Sequence, residues 1–153
     1  MFKGFLHLHI FIWWIIVLTG LWSVVRAWRG RLSAAAWSKA DKLFGLAFSS
    51  ALATQFLIGL ALYSVSPTVR PVFDAAAAPV ARGELHFFAF LHPLAMLTAV
   101  VLAQVGFSVS KRMSGDARKF QWAVICYTTA LLLVLLATPW PGLGLPWGRS
   151  LVP

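Results

Sequence analysis

A chain of 153 residues that is 60% hydrophobic and only 11% charged, with mean hydropathy +0.82, has too little polar surface to coat a water-soluble globule of its size. The formal charge of +9 does not read as a nucleic-acid footprint, because the basic residues sit in short stretches between long apolar runs, where they act as topology signals and contacts for anionic lipid head groups. The single cysteine, Cys126, excludes an intrachain disulfide and a cysteine-built metal cage, and inside an apolar run it reads as a buried structural thiol.

The first apolar run covers residues 5–25. At about 1.5 Å per residue it is long enough to cross a hydrocarbon core of roughly 30 Å. It lacks the marks of a signal peptide: its basic flank is Lys3 alone, it is too long for an h-region, and no small-residue cleavage pattern follows. Further runs cover residues 43–65, 85–109 and 120–138. Ser66-Pro67 closes the second, Lys111-Arg112 the third, and Thr138-Pro139-Trp140-Pro141-Gly142 the fourth, since proline cannot continue a helix. Residues 139–153 are expected to form an irregular tail. The chain is thus expected to be one all-α domain over residues 1–153, an integral membrane up-down-up-down four-helix bundle.

Charge then orients the spans. The first connection carries Arg26, Arg29, Arg31, Lys39 and Lys42, and the third carries Lys111, Arg112, Arg118 and Lys119, against Lys3, Arg70, Arg82 and Arg149 on the other side. By the positive-inside tendency the first and third connections face the cytoplasm, and both termini face out. Trp22, Trp28, Trp37, Trp122, Trp140 and Trp147 near the run ends suit interfacial aromatic belts.

No Gly-rich phosphate loop, catalytic carboxylate pair or nucleophile elbow is present, and the four acidic residues fall in loops or at helix ends. That leaves the histidines. His7 and His9 open span one, and His86 and His92 lie in the first half of span three, so all four sit toward the outer side. At about 100° per residue, His7 and His9 are separated by roughly 200° and His86 and His92 by roughly 120°, so at most one of each pair faces the bundle axis. His92 lies about 9 Å deeper than His86. The pair best matched in depth is His9 with His92, leaving His7 and His86 as alternates nearer the head groups.

Two imidazoles facing one another in an apolar bundle are what a b-type haem needs, together with a dry slot and cations for its propionates. Gly59 is expected to leave room for a flat ring, Gln55 to orient a ligand, and Arg70 and Arg82 to meet propionates. Pro93 frees the carbonyl of Ala89 as a partner for an imidazole N–H. The plainer alternative is a set of interfacial histidines at helix starts, with Gly20, Gly45 and Gly106 letting helices approach.

Leu6-His7-Leu8-His9, Ser38-Lys39-Ala40-Asp41-Lys42, Gln55-Phe56-Leu57-Ile58-Gly59-Leu60, Leu91-His92 and Pro139-Trp140-Pro141 together resemble a family of small four-helix bacterial membrane proteins labelled cytochrome b-like. The resemblance covers most of the chain and departs at Ile10-Phe11-Ile12-Trp13, where the family tends toward small and basic residues. It implies a membrane haem-b or electron-transfer role, with His9 and His92 at the positions of the family's histidines. Two classes of function follow: a b-type electron-transfer subunit, moving single electrons between a quinol and an outer-face partner, or a haem-free accessory subunit of a larger respiratory or photosynthetic complex. Metal handling is weaker, lacking Met-x-Met or Cys-rich outer loops, and a transporter is weaker still, since no ionisable Asp, Glu, Lys or Arg lies inside a span.

Overall fold

A computed structural model of the protein describes residues 2–74, 76 and 79–150. Among the described residues four helices are long and apolar enough to cross a membrane: α1 (Phe2–Leu32), α2 (Lys39–Val65), α3 (Arg82–Arg112) and α4 (Asp116–Leu136). No strand occurs among the described residues. Each expected run lies inside one of these helices, except that α4 stops at Leu136 and residues 137–138 continue as a turn.

The helices outrun the apolar stretches because nothing in the flanking sequence breaks them. Arg26 to Arg31 contains no proline, so α1 continues past the apolar run before closing at Ser33-Ala34. There Ala34 takes a left-handed φ of 50°, and the Ala35 amide reaches back to the Gly30 carbonyl at 3.1 Å. α2 starts on a reciprocal cap: the Ser38 hydroxyl accepts from the Asp41 amide, and the Asp41 carboxylate accepts from the Ser38 amide at 2.8 Å. Arg26 of α1 donates to the same Asp41 at 2.8 Å and to the Ser38 hydroxyl at 3.1 Å. The motif Ser38-Lys39-Ala40-Asp41-Lys42 therefore fixes the turn between the first two helices.

Within α3, residues Phe87–Leu91 form a wide π turn immediately before His92-Pro93. Proline has no N–H, and its ring would strike the carbonyl four residues earlier in a regular helix, so the extra residue in the turn absorbs the misfit. Past α4, Pro139 and Pro141 deny the chain helical bonds, and it runs through turns to Ser150; residues 151–153 of the expected tail lie outside the described residues.

α1 packs against α2 and α4, and α3 packs against the same two, so α1 and α3 face one another across the centre. The starts of α1 and α3 share one end with the close of α2 and α4, as contacts from Gln55 to His9 and from His92 to Ala137 show. The core is a column of small and large partners: Ile16, Phe48, Leu52, Ala99, Ala103, Ala123, Tyr127, Ala130 and Val134. Glycines allow its tightness: a Cβ on Gly20 would come 2.7 Å from the Phe48 ring, and one on Gly106 2.6 Å from Cys126 Cβ. The outward faces are apolar too, with Leu18, Leu57, Leu94 and Leu136 at 64% to 79% exposure.

Candidate functional site

The start of α1, the second half of α2, the π turn of α3 and the end of α4 enclose a cavity of about 430 Å³. His9 and His92 both line it, with ring centroids 6.4 Å apart and planes tilted by 60°. The depth match expected from sequence thus corresponds to a contact across the centre of the molecule. His7 is exposed and reaches the cavity's rim, whereas His86 is exposed, leans on Phe90 and lies outside the lining.

His92 is oriented by a backbone carbonyl. Its Nδ1 lies 2.8 Å from the oxygen of Ala137, and because a carbonyl can only accept, Nδ1 carries the proton and Nε2 the lone pair. The Ala137 oxygen is available because α4 has closed at Leu136 and no helical amide follows to bond it. The sequence pointed instead to the Ala89 carbonyl as the imidazole's partner. That carbonyl accepts instead from the Tyr63 hydroxyl at 3.1 Å. Tyr63 thereby bonds the backbone of the π turn just ahead of His92.

His9 is placed from α2. Gln55 Nε2 donates to the His9 carbonyl at 2.9 Å, and Gly59 lies so close to the ring that a Cβ there would sit 3.3 Å from His9 Cε1. Gly59 accordingly makes room for an imidazole. His9 Nδ1 and Gln55 Oε1 are buried without a hydrogen-bond partner, each at a cost of about 1–3 kcal/mol if nothing else binds there. Below them, Trp13 donates to the Thr138 hydroxyl at 3.0 Å and meets Trp140 edge-on at 5.7 Å.

The cation beside the cavity is Arg149. It pairs with Glu84, lies 3.4 Å from the Thr68 hydroxyl, and sits over the Phe88 ring at 5.4 Å. The Arg149 amide bonds the Pro139 carbonyl at 2.9 Å, while Trp147 stacks flat on Phe87 at 5.0 Å, holding the tail across the cavity's end. Arg70 and Arg82, the cations singled out from sequence, are exposed and outside the lining. Arg70 is turned onto Asp74 in a short 3-10 turn, and Arg82 sits at the start of α3.

Chemically, two imidazoles with no carboxylate or thiolate beside them offer two neutral nitrogen donors in an apolar surround. No group of three or more His, Cys, Asp or Glu suited to a metal ion occurs among the described residues, so a closed protein-only cage is not built here. Comparison with known proteins finds no matching family model, no similar curated protein and no similar solved structure.

Proposed function

We propose that the chain is a four-span, up-down-up-down membrane protein whose cavity holds one haem b between His9 and His92, and that it serves as an electron-transfer subunit of the cytochrome b-like kind. The observation that carries this reading is the 6.4 Å separation of the two ring centroids. At that spacing His9 and His92 would both be able to hold one metal centre between them. Further support comes from the partnerless Nδ1 of His9 and Oε1 of Gln55, from the apolar walls, and from the lone pair left on His92 Nε2.

A bound haem supplies reversible one-electron chemistry. The protein's part is to hold and tune. The Ala137 carbonyl fixes the His92 tautomer and ring orientation, Gln55 and Gly59 place His9, and Phe88, Met96 and Trp13 keep water out. Arg149 is the cation placed to meet an anionic edge at the mouth. The subunit sits in a bacterial inner membrane with both ends outside, exchanging electrons within a larger respiratory or photosynthetic complex, with a quinol as the donor.

Absorption spectra of the purified protein, oxidised and then dithionite-reduced, test the proposal. The wild type is expected to show the sharp reduced α-band of a b-type haem, His9→Ala and His92→Ala to lose it, and His7→Ala and His86→Ala to keep it. A wild-type protein that takes up no haem when expressed with haem precursor overturns the reading, and the haem-free accessory role then stands.

A further inference from the structure

At the opposite end of the molecule the helices enclose a second, smaller pocket of about 150 Å³, lined by Trp37, Lys42, Phe107, Ser110, Lys111 and Lys119. We infer that this pocket is a binding site for the phosphate of an anionic phospholipid. The inference needs the four membrane spans but not the two-histidine centre.

The lysines come from three different helices, Lys42 from the start of α2, Lys111 from the end of α3 and Lys119 from the start of α4. Only Lys119 has a carboxylate partner, Asp116 at 2.9 Å; among the described residues neither Lys42 nor Lys111 forms an ion pair. Three ammonium groups around so small a space repel one another. Two of them also sit near helix starts, where the helix dipole disfavours a cation. An anion bound between them relieves both effects.

The walls fit a lipid rather than a free ion. Trp37, held against Phe120 at 4.8 Å, and Phe107 give apolar sides beside the charged rim, and the buried Ser110, whose hydroxyl donates to the Phe107 carbonyl at 3.1 Å, adds a polar oxygen to the lining. Head-group phosphate, glycerol and the start of an acyl chain present this sequence of charge, polarity and hydrocarbon. The pocket lies at the end that carries nine of the thirteen basic residues, the level at which basic pockets between spans meet anionic head groups.

Native mass spectrometry of the full chain in mild neutral detergent, titrated separately with phosphatidylglycerol, phosphatidylcholine and inorganic phosphate, tests the site. Phosphatidylglycerol is expected to bind at one site and phosphatidylcholine at least tenfold more weakly. Each of Lys42→Gln, Lys111→Gln and Lys119→Gln is expected to weaken phosphatidylglycerol about fivefold. The exposed Arg29→Gln and Arg118→Gln, at the same end but outside the pocket, are expected to leave it unchanged. Should the glutamine variants not fold, Lys42→Arg with Lys111→Arg keeps the charge and is expected to retain the lipid. Equal losses in the arginine controls, equal binding of phosphatidylcholine, loss of the lipid in the Lys→Arg variant, or full displacement of the lipid by millimolar phosphate each overturns the assignment. The haem spectrum is a separate readout, so this site and the two-histidine centre fail independently.

Discussion

Two backbone carbonyls beside the cavity are taken by side chains of other helices, that of Ala137 by His92 and that of Ala89 by Tyr63. Only Ala89 was singled out from the sequence, through Pro93, as an imidazole's partner; which side chain takes each carbonyl was not legible, because it depends on how α2 and α4 lie against α3. The same limit hid Arg149. Its place follows from the tail folding back through Trp147 on Phe87 and the Pro139 carbonyl, contacts with no local sequence signature. The pairing of His9 with His92 was legible because depth along parallel-running helices is a matter of rise per residue alone. Gly59 tests how tightly His9 is held. A Cβ there stands 3.3 Å from the ring, so alanine requires a shift of only a few tenths of an ångström, whereas the branches of valine press into the imidazole. Gly59→Val is expected to cost about 1–3 kcal/mol of stability, and Gly59→Ala distinctly less. Thermal unfolding in detergent, followed by helical circular dichroism, reads the difference; a valine variant as stable as the wild type contradicts the tight approach.

Helix ends divide into those that chemistry announces and those that it does not. Ser38 and Asp41 announce the start of α2, and Ser66-Pro67 announces its close. The ends of α1 and α3 lie beyond their apolar runs, because hydropathy reports the thickness of hydrocarbon a helix can cross and not where its backbone bonds stop. The π turn at Phe87–Leu91 was likewise not expected, although Pro93 is its physical cause. Two substitutions with opposite signs probe the turn between α1 and α2. Ala34 holds a left-handed φ of 50°, a conformation that glycine adopts without steric cost, so Ala34→Gly is expected to stabilise by about 0.5–1 kcal/mol. Ser38→Ala removes the hydroxyl that caps α2 and that receives Arg26, and is expected to destabilise by about 1–2 kcal/mol. Midpoints of thermal unfolding that move the same way for both variants would contradict this account of the turn.

A molecule with apolar residues both inside and out cannot be held together by burial of oil from water alone; its helices associate through close contact at small residues and through bonds between buried polar groups. Gly20, Gly106, Ala99, Ala103, Ala123 and Ala130 supply the first, and the Gln55–His9, Trp13–Thr138 and Gln104–Ser49 bonds the second, the last at 3.2 Å. Charge adds a direction. The short connections between α1 and α2 and between α3 and α4 fall at one end, together with nine basic residues, while the other end holds the tail, the two-histidine cavity and four. In a membrane, cation-rich segments of this length resist translocation, so the lysine pocket is expected at the cytoplasmic face and the histidine cavity at the outer face. Single-cysteine labelling with an impermeant maleimide on intact cells tests the orientation. The native Cys126 is buried, so its replacement by alanine supplies the background. A cysteine at position 70, exposed in the loop after α2, is expected to be modified in whole cells, and one at position 42 only after the cells are opened. The reverse pattern places the basic end outside and moves the two-histidine centre to the cytoplasmic face.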